Sequence, residues 1–124
     1  MTRKALHLAF GLLLCSSASA SAATLTVTWF DTGASTAIAL ETPSGKVCLI
    51  DSGGSRAAQG TAPEYNSGRD TIAPYLKARG YTKIDGLLIS HPHADHFAGA
   101  VWLVANWPVL RVYDHGYNGK GLPE

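Results

Sequence analysis

Residues His91-Pro92-His93-Ala94-Asp95-His96 place four metal-binding side chains in six positions, directly behind the apolar run Leu87-Leu88-Ile89. This juxtaposition constrains the fold more than any other feature of the chain. It calls for a buried strand that ends in an open loop, so that a rigid element delivers ligands to solvent. The chain has five histidines and three of them fall in this window, a concentration that ordinary loop composition does not produce. Imidazole suits zinc, nickel, copper and iron, and a carboxylate beside it keeps the site borderline-hard, which favours zinc. His91 and His93, two apart, point the same way in an extended segment and can share one ion. Asp95 and His96 are adjacent and diverge, which suits a second ion beside the first. A structural zinc clip usually draws on cysteine and closes all four positions, whereas no cysteine lies near this window.

Around this loop the chain reads as strands and helices in alternation. Residues 25–30, Leu25-Thr26-Val27-Thr28-Trp29-Phe30, are β-branched and roughly alternating, as in a strand. Residues 37–42 and 46–51 read as two strands joined by Pro43-Ser44-Gly45, with Pro and Gly in turn roles. Their apolar runs lack strict alternation, which predicts a sheet covered on both faces. Asp51-Ser52-Gly53-Gly54 ends the third strand, and residues 55–68 form a polar loop at the mouth of the site. A helix is predicted over 71–79, with Thr71 as N-cap, Pro74 in the first turn, Ile72, Tyr75 and Leu76 on one apolar face, and Gly80 just beyond its end. Residues 84–90 are the strand that carries the metal loop. Residues 97–106 are the next helix, whose first amides can help to bind an anion or a ligand carboxylate; residues 109–113 are a last strand. Trp102 and Trp107 read as core aromatics and Cys48 as a small buried hydrophobe rather than a nucleophile. His115 is open to two readings, a surface or supporting residue or a further ligand.

The motif in this setting resembles the metallo-β-lactamase superfamily, whose signature is H-x-H-x-D-H after a buried strand. Similarity extends upstream through Thr28-Trp29-Phe30-Asp31-Thr32-Gly33, Ala37-Ile38-Ala39-Leu40-Glu41-Thr42-Pro43-Ser44-Gly45-Lys46 and Leu49-Ile50-Asp51-Ser52-Gly53-Gly54. Asp70-Thr71-Ile72-Ala73-Pro74-Tyr75-Leu76 and Ile84-Asp85-Gly86-Leu87-Leu88-Ile89-Ser90-His91-Pro92 continue it. These segments are similar to the ComEC-like branch, typified by the extracytoplasmic hydrolase domain of the DNA-uptake channel protein. Where that branch commonly has D-V-G-Q-G-D-A, this chain has Asp31-Thr32-Gly33-Ala34-Ser35-Thr36-Ala37. His93 stands where the branch often has Asp, which moves the site towards the fully equipped two-zinc pattern.

The resemblance implies an α/β (α+β) fold, the metallo-β-lactamase-type αββα sandwich of two sheets flanked by helices. Residues 24–124 are expected to supply its N-terminal half, incomplete at the C-terminus. It also implies zinc, two ions in the complete domain, with manganese or iron as alternatives. His91 and His93 would hold the first ion, Asp95 and His96 the second, and Asp95 would also orient the attacking water or receive a proton. The turn at Asp51 would lie beneath the metal loop, where its carboxylate orients a ligand from behind; on the residues alone it is equally a strand-ending Asx turn. The superfamily completes its sites with one further His, a bridging Asp and a final His, for which the residues beyond Asp114 offer no convincing candidate.

The N-terminus reads as a secretory signal over residues 1–22. Arg3 and Lys4 supply its positive region, residues 5–14 an apolar core broken only by His7, and Ala18-Ser19-Ala20 and Ala20-Ser21-Ala22 small-residue cleavage sites. A segment of ten residues is too short to span a bilayer, and Leu14 is too large for the position before a lipidated Cys15. The expected location is therefore periplasmic or extracellular, with no membrane association after cleavage. Removing residues 1–22 takes out Arg3 and Lys4 and leaves 8 basic side chains against 9 acidic. No basic nucleic-acid-binding footprint remains. Cys15 goes with the leader, so Cys48 has no intramolecular partner although the compartment would permit a disulfide.

The expected function, for the intact protein, is that of an exported metal-dependent hydrolase, ComEC-like, in which a dinuclear zinc-activated hydroxide attacks a phosphodiester or similar ester. The substrate would be a small molecule or a nucleic-acid phosphodiester. The alternatives are a β-lactamase or lactonase-like hydrolase, supported by the leader and the His-x-His-x-Asp-His set, and a truncated non-catalytic relic.

Overall fold

A computed structural model describes residues 23–56 and 64–116. The leader expected over residues 1–22 and the C-terminal segment from residue 117 lie outside the described residues. Strand β1 (Thr26–Trp29) pairs antiparallel with β2 (Ala37–Glu41), and β2 pairs antiparallel with β3 (Val47–Ser52). Between β2 and β3 the chain turns at Gly45, which has φ 76° and donates its N–H to the Thr42 carbonyl at 3.0 Å. A side chain there would be strained, so the expected Pro-Ser-Gly turn is the one observed.

The chain next forms a short hairpin, β4 (Ser55–Arg56) with β5 (Tyr65–Asn66), where a polar loop was expected. Next comes a π-helical turn, Gly68–Ile72, running into α1 (Ala73–Ala78). The helical run thus starts before Thr71, and Thr71 is not its cap. Instead its hydroxyl lies 2.9 Å from the Tyr65 hydroxyl. Pro74 occupies the first turn of α1, directly behind the π-helical turn that runs into it. The helix ends as expected at Gly80, with φ 78°. Gly80 N–H donates to Lys77 O at 3.0 Å and Tyr81 N–H to Leu76 O at 2.9 Å, a Schellman pair that satisfies two terminal carbonyls.

Strand β6 (Gly86–Leu88) runs parallel to β3, and after α2 (Ala94–Asn106) strand β7 (Val112–Tyr113) runs parallel to β6. The sheet order is β1-β2-β3-β6-β7, a mixed α/β arrangement of the class expected. Register puts Ala39, Leu49 and Leu87 on one face. There they join Ile72, Leu76, Ala100 and Leu103 in a single core, each of these positions at most 8% exposed. Trp102 and Trp107 pack against this core, partly buried. Residues of the opposite face, Val27, Trp29, Leu88 and Tyr113, are 43–72% exposed. Among the described residues the helices cover one face only, where cover on both was expected. An apolar strand face reads the same in sequence whether or not the chain at hand covers it.

Glu41 ties the sheet to α1. Its carboxylate is 5% exposed and accepts hydrogen bonds from Arg79 Nη2 at 2.7 Å, Arg79 Nε at 2.9 Å, Tyr81 OH at 3.0 Å and Tyr75 OH. Tyr75 OH also lies 2.8 Å from Thr28 Oγ1, so three elements meet at one buried charge. Such a group is tolerated only because its lone pairs are filled.

Candidate metal centre

Strand β3 ends at Asp51 and Ser52, and β6 runs beside it into Ser90 and the histidine-rich loop. Asp51 has φ 56°, the left-handed region that Asp and Asn enter more readily than other non-glycine residues. This twist turns its carboxylate under the loop. Oδ1 accepts the Ser90 N–H at 2.8 Å, and Oδ2 accepts the Ser90 hydroxyl at 2.8 Å. Oδ2 also lies 2.7 Å from His96 Nδ1. Burial works to raise the Asp51 carboxyl. The hydrogen bonds from His96 and Ser90, with the charge of His96, outweigh it and hold the group below the ordinary carboxylate value.

These contacts select the imidazole nitrogens that face outward. An Nδ1–H on His96 donating to Asp51 leaves its Nε2 lone pair free for a metal. Ser90 Oγ lies 3.0 Å from His91 Nδ1. Its own proton goes to Asp51, so it can accept from His91 and leave Nε2 of that ring free as well. Ser90 has no place in the sequence motif, although a hydroxyl directly before the first ligand was a readable hint. The carboxylate acts across 39 residues to Ser90 and 45 to His96, which no local pattern reveals.

Helix α2 starts at Ala94, three residues before the expected Phe97, so Asp95 and His96 sit in its first turn. The reason lies in the cap. His93 is extended, with φ −93° and ψ 141°, and its carbonyl accepts the N–H groups of His96 at 2.9 Å and Phe97 at 3.2 Å. No Ser, Thr, Asp or Asn side chain announces that start. Asp95 is in its turn well placed against the positive end of the helix.

Close packing fixes the helix over the sheet. The Ser52 hydroxyl donates to His96 O at 3.0 Å and accepts the Ala100 N–H at 2.7 Å. Gly99 N–H donates to Gly53 O at 3.0 Å. A Cβ on Gly99 would fall 2.1 Å from Ser52 O and 2.9 Å from Gly68 N, so only glycine lets the helix come this close. The Ser67 hydroxyl completes the contact, 2.5 Å from Ser52 O and 2.8 Å from Gly54 O, and nothing in the local sequence marks Ser52 or Ser67 for this role.

The three imidazoles gather at the loop. The ring centre of His91 is 3.9 Å from that of His96 and 4.7 Å from that of His93. His96 Nε2 lies 3.5 Å from Asp95 Oδ2, and Asp95 keeps its side chain half-exposed. Thus the fold brings all four motif side chains to one end of α2, with His91 between the other two rings. As they stand, no three His, Cys, Asp or Glu side chains among the described residues converge on a point that would hold a metal ion. The donor set fits one: three neutral imidazoles and a carboxylate on a solvent-facing turn are ligands for zinc or a similar borderline cation. His115 lines an apolar groove with Pro92, Phe97 and Val104.

Fold, strand order and motif agree with one family, and a family model for the metallo-beta-lactamase superfamily matches residues 30–124. The chain belongs to the metallo-beta-lactamase superfamily. No curated protein matches it. Superfamily membership carries a metal-dependent hydrolase fold. Among the described residues no helix is long and apolar enough to cross a membrane.

Proposed function

We propose that the protein is an exported zinc-dependent hydrolase that cleaves a phosphodiester or a similar ester, within the ComEC-like branch of its superfamily. One observation carries the reading: Asp51 and Ser90 hold the Nδ1 sides of His96 and His91, so that their Nε2 atoms are presented with His93 and Asp95 at a single solvent-facing turn. The export part rests on the leader-like composition of residues 1–22, and the branch on the upstream similarity.

His91, His93, Asp95 and His96 would hold the metal, two zinc ions with manganese or iron as alternatives, and the metal would supply Lewis-acid activation of water near neutral pH. The protein's own groups do the rest. Asp51 fixes the ring plane and tautomer of His96, and Ser90 does the same for His91 while it donates a hydrogen bond to Asp51. The half-exposed Asp95 carboxylate orients the attacking water and takes its proton as the leaving group departs. The His96 and Phe97 amides are taken by His93 O, but the positive end of the α2 dipole at this turn favours the negative charge that develops on a phosphoryl oxygen.

The test is an assay of the protein with zinc or manganese on bis-p-nitrophenyl phosphate, DNA and a chromogenic β-lactam. Cleavage of the phosphodiester that disappears on chelation is expected. Lactam turnover without phosphodiester cleavage would replace this reading with a β-lactamase-like one.

A further inference from the structure

Beside the loop, the turn over residues 31–35 and the β4–β5 hairpin enclose a groove of about 800 Å³ that reaches Ala94 and Asp95. Its walls are rich in hydroxyl groups, and most of these are hydrogen-bonded within the wall, to backbone carbonyls or to another hydroxyl. Thr32 Oγ1 donates to Ser35 O at 2.9 Å, Ser35 Oγ donates to Thr32 O at 2.8 Å, and the Tyr65 and Thr71 hydroxyls lie 2.9 Å apart. The result is a fixed polar wall. Asp31, on one rim, takes the Gly33 N–H at 3.2 Å.

Among the described residues that line this groove, Arg56 alone is cationic. By contrast, Arg69 pairs with Asp70 and Glu64, and Arg79 with Glu41. Arg56 forms no ion pair among the described residues. Its distance from the metal loop is set by the backbone. A Cβ on Gly54 would stand 3.5 Å from Asp95 Cα, and Arg56 follows two residues later, at most about 7 Å further along the chain. Arg56 lines the groove whereas His91, His93 and His96 do not, so its guanidinium suits a group beside the reacting ester. Its planar fork matches two phosphate oxygens at once.

We propose that this groove is a subsite for a second phosphate, carried one unit beyond the scissile ester, and that Arg56 selects for it. The inference rests on the hydrolase reading and specifies its substrate: a sugar–phosphate chain or similar polyphosphorylated diester instead of an isolated one.

Two chromogenic substrates separate the possibilities, the p-nitrophenyl ester of thymidine 5′-phosphate and the same ester bearing an additional 3′-phosphate. The zinc-loaded full chain is expected to show a KM about tenfold lower for the second, as one charge-assisted contact provides. Arg56→Ala is expected to bring the KM ratio close to one, and Arg56→Lys to keep part of it. An unchanged ratio in Arg56→Ala, or no preference in the unaltered chain, would overturn the proposal. Calorimetric titration with thymidine 3′,5′-bisphosphate and thymidine 5′-monophosphate reads the same ratio without turnover. If neither ester is hydrolysed but the binding preference is present and lost in Arg56→Ala, the hydrolase reading fails and the subsite stands. If that preference is absent, the subsite fails.

Discussion

Asp51 Oδ2 lies 2.7 Å from His96 Nδ1, joining the end of the third strand to the first turn of the second helix across 45 residues. Asp51 is 3% exposed and sits at φ 56°, so a buried, conformationally unusual residue is devoted to one imidazole. Asn is the substitution that isolates the charge, because it tolerates the same backbone region. Asp51→Asn is expected to weaken zinc binding about 10–100-fold while leaving the circular dichroism spectrum unchanged. A competition titration against a chelating dye measures it, and unaltered affinity would remove Asp51 from the metal centre.

Gly99 is expected to be the least replaceable glycine of the chain. Its added methyl would meet the backbone of Ser52 and Gly68, neither of which can yield as a flexible side chain would. Gly99→Ala should cost about 3 kcal/mol or more in urea unfolding. Gly80→Ala offers the contrast: it has φ 78° but open space around its Cβ position, so only backbone strain of about 1 kcal/mol is expected. Equal costs would mean that close approach of α2 to β3 is not what Gly99 provides.

Glu41 predicts a pH dependence of stability. Burial acts to raise its carboxyl, but the hydrogen bonds from Tyr75, Arg79 and Tyr81, with the Arg79 charge, hold it below the ordinary value. A carboxyl lowered on folding stabilises the native state above its unfolded pKa, about 4.3, and that contribution is lost as the pH falls through the folded value. Glu41→Gln should therefore cost about 2 kcal/mol at pH 7, and the difference from the unaltered chain should shrink below about pH 4. Denaturant unfolding at both pH values measures it; a gap that widens on acidification would contradict the assignment.

The strands and the motif were readable because their signals are local. Thr26 to Trp29, Ala37 to Glu41 and the run into Leu88 are β-branched or apolar at strand length, and the His-x-His-x-Asp-His spacing survives any context. The start of α2 was misplaced because a backbone carbonyl, that of His93, receives its first amides in place of a capping side chain. The π-helical turn at Gly68–Ile72 was invisible for a related reason: polar residues form it, and packing against Gly99 selects it. Glu41 looked like one more residue of a strand, since Tyr75, Arg79 and Tyr81 lie 34, 38 and 40 positions away. Ser52, Ser67 and Ser90 escaped in the same way, as hydroxyls whose partners appear only once β3, β6 and α2 have met.

Zinc retention tests the central claim most directly. The protein would be stripped with chelator, reloaded with excess zinc, desalted, and its metal content measured beside His91→Ala, His93→Ala, Asp95→Ala and His96→Ala. The account predicts that the unaltered chain keeps bound zinc and that each substitution lowers the amount retained. A chain that keeps no zinc, or one whose retention is the same after all four substitutions, would contradict it.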